Sequence, residues 1–226
     1  MKNSKKSFAN SMIKPNSVRT RYLGRLSSLL LLLVVVVQVP YVKAQQNPLD
    51  RLKARFENGS IFHADFSQRY IDSYTQDTTL SKGLIWVGRE KYKVHGNHQS
   101  IVVDGQTSMV YDELRNRVII SDYDPSEDDF APSRMLNGAD STYSIGSQNN
   151  KGEGINVVLV SEDPFAVFKK VEIQMTSDLI PVYIKAIDQT DNHIITRFKD
   201  GSFVEEQPRM FNLDYPEGAE IIDMRN

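Results

Sequence analysis

The chain has no cysteine and one tryptophan, and its four histidines, at 63, 95, 98 and 193, are scattered. Without thiols there can be no disulfide framework, so stability must come from an ordinary packed core. Nor can a lipid be attached through a cysteine at a processed N-terminus, so the mature protein is not expected to be a lipoprotein itself. Catalytic signatures are missing too: there is no Gly-x-Ser-x-Gly elbow, no His-Glu-x-x-His pair, no Walker loop and no Gly-x-Gly-x-x-Gly turn. His95 and His98 lie on a polar strand and turn, where solvent exposure is expected and a metal site is not. No apolar run is long enough to span a bilayer. Even from Leu26 to Val39 the run is about 14 residues, against the roughly 20 a spanning helix needs.

A surplus of positive charge is also lacking. The 226 residues carry 27 Lys and Arg against 29 Asp and Glu, a net charge of −2. That average hides a division. Residues 1–44 hold eight of the basic residues and no acid, which leaves nineteen basic against 29 acidic residues in the remainder, a balance of −10. An acidic body argues against nucleic acid, whose phosphates require a Lys and Arg surplus. The basic leader runs into Leu29–Val37, nine uninterrupted apolar residues, and then Val42-Lys43-Ala44. Positive start, apolar middle and small residue before a cut describe a secretory signal peptide, with cleavage expected after Ala44. Residues 45–226 are then one exported domain, and the 40% hydrophobic content of the whole chain is enough for a globular core.

What is present in that domain is mostly alternation. A helix is expected over Pro48–Glu57, with Asn47 as N-cap, Pro48 at the first helical position and Leu49, Leu52 and Phe56 on one face. From Phe62 to Asp72, residues 62, 64, 66 and 70 are apolar or aromatic and 63, 65, 67 and 69 polar, which is a strand with one dry face. Gly83–Asp112 reads as four short strands: Leu84–Val87, Tyr92–Val94, Ser100–Val103 and Ser108–Tyr111. Asp104-Gly105 between apolar runs is a strong hairpin signal, because a tight turn needs residues that tolerate positive φ. Arg117–Ser121 is a further strand. The later strands are expected at Tyr143–Ser147, Ile155–Ser161, Val171–Thr176, Val182–Asp188 and His193–Lys199, with a turn at Asp200-Gly201 and an extended tail over Phe211–Met224.

Between these two sets lies the one long irregular segment, 122–140. Its acids at 122, 124, 127, 128 and 129 suggest calcium, but Glu127 stands where an EF-hand loop needs Gly and Ser133 where it needs Glu. A solvated loop carrying a short helical turn at Pro132–Leu136 is the better reading, and long loops of this kind often serve as lids. About ten short strands joined by tight turns give a mainly β domain, one antiparallel sheet curled or closed upon itself. Two short helices cannot fill its inner face, so a greasy cavity under a movable cover is expected. Phe66, Tyr70, Leu84, Trp86, Tyr92, Ile101, Met109, Met135 and Leu136 are candidates to line it, although each is also an ordinary core residue type.

The residues Phe62-His63-Ala64-Asp65-Phe66-Ser67-Gln68, Gly83-Leu84-Ile85-Trp86-Val87 with Arg89, Ile101-Val102-Val103-Asp104-Gly105 and Tyr111-Asp112 stand in an order that resembles the LolA family. Phe168-Lys169-Lys170-Val171, Leu179-Ile180-Pro181-Val182, and Phe211 followed by Tyr215-Pro216-Glu217-Gly218 continue the likeness, which covers about Leu49 to Asp223. The resemblance implies an unclosed half-barrel whose concave face is covered by helices and encloses an apolar cavity for acyl chains. It implies a periplasmic, non-enzymatic carrier without cofactor or metal, expected to act as a monomer. Its partners would be acylated lipoproteins as cargo, an inner-membrane lipoprotein-releasing ABC transporter and an outer-membrane acceptor. It further implies that Arg89 holds the helical lid by hydrogen bonds, a task suited to a guanidinium with five donors. The chain departs from the family at Glu90, where a proline is usual, and at Met109, where a tryptophan is usual. Two other readings stay open at this point: a lipid-sensing envelope module that binds acyl groups without passing cargo on, and an exported hydrolase built from dispersed residues.

Overall fold

The computed structural model describes residues 47–225 apart from 126, 129–130, 133–135, 137–141 and 152–153. The expected signal peptide and Met135 lie outside the described residues. One helix, α1 (Pro48–Glu57), precedes β1 (Ser60–Ile71), β2 (Thr78–Val87), β3 (Tyr92–Gly96), β4 (Gln99–Val103), β5 (Thr107–Asp112) and β6 (Arg117–Asp122). After the irregular segment come β7 (Ser144–Lys151), β8 (Gly154–Val160), β9 (Phe168–Thr176), β10 (Pro181–Asp188), β11 (His193–Glu205) and β12 (Glu220–Asp223).

These strands form one sheet of twelve, in the order β12-β6-β5-β4-β3-β2-β1-β11-β10-β9-β8-β7. Two meanders, β1 to β6 and β7 to β11, are therefore sewn together by β1 against β11. The ends of the order, β12 and β7, do not pair with each other, so the sheet is not closed. All pairings are antiparallel except β12, which lies parallel to β6. The expected mainly β, unclosed architecture is the one observed.

Helix α1 starts where its chemistry dictates. The Asn47 carboxamide oxygen accepts a hydrogen bond from the Asp50 backbone N–H at 2.9 Å, and its Nδ2 donates to the Asp50 carboxylate at 2.7 Å, which satisfies donors that the helix leaves open. The helix ends at Asn58 and Gly59, whose φ of +83° suits a residue without Cβ. Leu49, Leu52 and Phe56 are buried against the sheet in one cluster with Phe62, Phe66, Ile85, Ile173, Met175 and Ile184. Each such side chain contributes about 1.5–3 kcal/mol on burial. The Phe56 and Phe203 rings meet edge-on at 5.5 Å, and Phe62 meets Phe198 at 5.2 Å.

Register assigns the two faces of the first meander. Ala64, Ile85, Val94, Ile101, Val110 and Ile119 are successive cross-strand neighbours on the inner face, where Ala64 and Ile85 belong to the cluster that holds α1 and Val94 packs against it. The adjacent row, His63, Trp86, Lys93, Val102, Met109 and Ile120, faces the other way. This outer row is not left to solvent. The chain after β11 crosses it, placing Phe211 in a cluster with Ile61 and Val102 that Trp86, Met109, Met210 and Leu213 flank. Lys93 Nζ donates to the Asn212 carbonyl at 2.8 Å, so the tail expected over Phe211–Met224 is a strap that ends in β12.

Asp200-Gly201 is not the expected turn. β11 continues to Glu205, and the pairing with β1 slips between His63 and Asp65 opposite these two residues. Asp200 has φ +52°, and a Cβ on Gly201 would stand 3.1 Å from the Phe62 ring. The dipeptide makes a β-bulge that lets the sheet bend over Phe62, using the same backbone freedom that makes a turn elsewhere. At Asp104-Gly105 the turn reading holds: Gly105 has φ +96°, and the Asp104 carboxylate accepts from the Gln106 and Thr107 N–H groups.

Candidate functional site

Between the inner face and its cover lies a cavity of about 420 Å³. Its walls come from β1 (Phe66, Gln68), β2 (Ser81, Ile85), β3 (Tyr92, Val94), β4 (Ile101), β10 (Ile184) and β11 (Thr196, Phe198). Its cover is the segment after β6, through Asp128, Pro132 and Leu136. Gly96, Asn97, His98 and Gln99, at the turn between β3 and β4, complete the lining, and the last three are exposed. The hollow therefore has an apolar interior and a polar end.

Two strand features make the space. Gln68, Ser81 and Thr196 share one cross-strand row, and Thr196 Oγ1 donates to Gln68 Oε1 at 3.0 Å. That bond keeps the buried threonine hydroxyl satisfied at the edge of an otherwise oily space. Gly83 and Gly96 face each other across β2 and β3. A Cβ on Gly83 would stand 1.9 Å from the His95 carbonyl oxygen, so this close strand crossing admits glycine alone.

The cover is fastened to the sheet beside the cavity. Tyr92 is buried and packs with Val103 and Ala131, flanked by Val94, Ile101 and Tyr123. Its hydroxyl donates to Asp128 Oδ2 at 2.6 Å. Burial, and after it the Asp128 carboxylate, push the Tyr92 hydroxyl well above the usual phenol range, because both disfavour a second negative charge there. The backbone N–H of Tyr123 also donates to the Gln106 carbonyl at 2.8 Å, tying the start of the segment to the β4–β5 turn.

Of the sequence candidates, the structure brings Phe66, Tyr92, Ile101 and Leu136 together around the hollow. Tyr70 is on the same face of β1, packed against the main core cluster and outside the lining. Leu84, Trp86 and Met109 must be reassigned. All three point to the outer face, where Leu84 pairs with Asp65 and His95, and Trp86 and Met109 lie under the C-terminal strap. Trp86 stacks on His63 with ring centroids 4.8 Å apart. Both faces of β2 and β4 are covered, so an apolar run gave no sign of which residues face inward. Arg89 sits in the turn after β2, its side chain 66% exposed, with Nε 3.4 Å from a Glu90 carboxylate oxygen.

Several lining residues were not singled out from sequence. Ile85, Val94, Ile184 and Phe198 follow from the parity of Phe66 once register is known. Asp128 is one of several acids in the irregular segment, and nothing local in the sequence marks it as the partner of Tyr92. Among the described residues no group of three or more His, Cys, Asp or Glu is placed to hold a metal ion.

Known proteins place this geometry. The model of the family described as "Outer membrane lipoprotein carrier protein LolA" matches residues 57–214. An outer-membrane lipoprotein carrier protein of Chromohalobacter salexigens is 24% identical over 189 residues, covering 80% of this chain and 89% of that protein. One from Salmonella typhi is 23% identical over 178 residues, covering 77% and 87%. Among solved structures, an uncharacterized conserved protein from Thermus thermophilus shares the fold, with a TM-score of 0.51 at 12% identity over 77% of this chain and 98% of its own. The family match runs from the end of α1 through β11 to the strap, and so includes every wall of the hollow and its cover: the chain belongs to the LolA family of outer membrane lipoprotein carrier proteins.

Proposed function

We propose that this protein is a periplasmic carrier that takes acylated lipoproteins from an inner-membrane ABC transporter and delivers them to an acceptor at the outer membrane, without catalysing a reaction. The observation that carries this reading is the 420 Å³ hollow with an apolar interior, held between the sheet and the segment after β6, in a chain of the LolA family. An acyl chain in water exposes about 0.8 kcal/mol of unfavourable surface per CH₂, so transit through an aqueous compartment requires a dry surface of this kind. Residues 1–44 supply the export signal in this scheme, with cleavage after Ala44.

Phe66, Tyr92, Ile101 and Leu136 touch the acyl chain, and Arg89 acts on the release side. The pairing of Arg89 with Glu90 gives that guanidinium a competing carboxylate where the family usually has proline. The experiment is affinity purification of the mature protein from the cell envelope, followed by intact mass spectrometry. Stoichiometric lipoprotein that disappears when its acyl chains are removed supports the carrier reading. Lipid bound in the hollow with no lipoprotein passed to outer-membrane vesicles would instead favour an acyl-sensing module.

A further inference from the structure

We propose that the hydrogen bond from the Tyr92 hydroxyl to the Asp128 carboxylate is the latch that sets how readily the cover parts from the sheet, and through it how fast an acyl chain enters and leaves. The proposal rests on the carrier reading and adds to it a device specific to this chain. The bond joins the two halves of the wall: Tyr92 belongs to β3, Asp128 to the segment after β6, and both line the cavity. At 2.6 Å it has the usual length for a hydroxyl on a carboxylate, the charge-assisted kind that is about twice as strong as a neutral bond.

Its surroundings strengthen it. Tyr92 is 7% exposed and sits among Val103, Ala131, Val94 and Ile101, so water competes poorly for its hydroxyl, while Asp128 is half-buried. The hydroxyl remains protonated throughout the physiological range, since burial and the carboxylate both oppose its ionisation, and the donor is therefore always available. The tyrosine occupies the cavity wall itself, where an incoming chain must push between ring and cover. Opening therefore breaks this bond, while the ring that remains is an apolar surface for the chain.

A closed empty state held by such a bond lowers apparent affinity by the fraction of molecules that are open. A charged hydrogen bond of ordinary strength makes that factor on the order of tenfold to a hundredfold. The test compares wild type, Tyr92→Phe and Asp128→Asn in two assays. The first is amide hydrogen exchange of Ala131 and Leu136 in the ligand-free protein, which does not depend on function. The second is stopped-flow binding of a fluorescent C14 fatty acid.

Tyr92→Phe keeps the packed ring and removes the hydroxyl. It should speed exchange at Ala131 and Leu136 by about tenfold or more, speed probe entry, and tighten binding in proportion, with Asp128→Asn acting in the same direction more weakly. Equal exchange in wild type and Tyr92→Phe overturns the latch whatever the probe does. Faster exchange with unchanged probe kinetics overturns its control of acyl entry. If the wild type binds no acyl probe, the carrier reading fails while exchange alone still decides whether the bond fastens the cover.

Discussion

A series of fatty acids of increasing length measures the hollow directly. A methylene fills about the 30 Å³ that a water molecule takes in the liquid. The cavity of about 420 Å³ then has room for on the order of 14 carbons, about the length of one acyl chain. Within that length each added CH₂ moves from water to the walls formed by Phe66, Ile85, Val94, Ile101, Ile184 and Phe198. At about 0.8 kcal/mol per CH₂, affinity rises roughly fourfold per carbon.

Beyond about C14 the extra carbons project past the polar end at Asn97, His98 and Gln99, and the gain per carbon collapses. Competition against a fluorescent acyl probe, held below the critical micelle concentration of each acid, gives the curve. Ile101→Trp fills part of the space and should move the break to a shorter chain without changing the slope below it. A slope under about twofold per carbon, or a curve that climbs unbroken through C18, refutes the claim that this hollow in its closed form sets the binding free energy. The same volume has a corollary for cargo with more than one acyl chain. Such cargo is expected to bind with the cover displaced, which would couple loading to opening.

Other perturbations separate the parts of the design. Gly83→Ala forces a methyl group into the His95 carbonyl and should destabilise the protein by about 1–3 kcal/mol or more, read as a lower urea midpoint; an unchanged midpoint would mean that the β2–β3 crossing is looser than described. Arg89→Leu should leave loading of acylated cargo intact and slow unloading to outer-membrane vesicles, and equal loss of both steps would remove the arginine from the release side. Asp188 is subject to burial, which raises its pKa, but the hydrogen bonds from Asn192 and Thr190 outweigh that and hold the carboxyl below its usual range. Its contribution to stability is thus present above an unfolded pKa of about 3.9 and lost as pH falls through the lower folded value. Asp188→Asn should lower Tm at pH 7 and shrink the fall in Tm between pH 7 and pH 2; an acid profile identical to wild type would show that the carboxylate does not hold the β10–β11 turn.

Much of the architecture was legible because burial leaves a period in the sequence. The alternation over Phe62–Tyr70 gave β1 and its inward face, and the cap and apolar stripe gave α1 to the residue. The limits of β11 were not legible. Asp-Gly has the same local chemistry in a hairpin and in a bulge, and only the neighbouring Phe62 ring decides between them at Gly201. The site was half legible for a related reason. Leu84-Ile85-Trp86-Val87 is apolar throughout because α1 and the core cover one face while the strap from Phe211 covers the other, and a strand covered twice does not announce its parity. Tyr92 and Asp128 are 36 residues apart, so their pairing is a property of the fold and of neither local sequence.

The double cover also explains how a sheet can stay open on one side without unfolding. The strap cluster of Ile61, Val102 and Phe211 and the parallel pairing of β12 with β6 stabilise the β1–β6 meander from outside, on the face away from the hollow. Phe62, Ile173, Met175 and Ile184 with α1 stabilise the β1 and β8–β11 region from inside. What remains thinly covered is the inner face of β3 and β4, where the segment bearing Asp128, Ala131 and Leu136 is the cover. Loss of that contact exposes Tyr92, Val94 and Ile101 and takes Leu136 out of the main cluster, while the strap cluster is untouched. In the proposed carrier, contacts with the cover would be exchanged for contacts with an acyl chain, so that neither the empty nor the loaded state need be so favourable that the exchange stops.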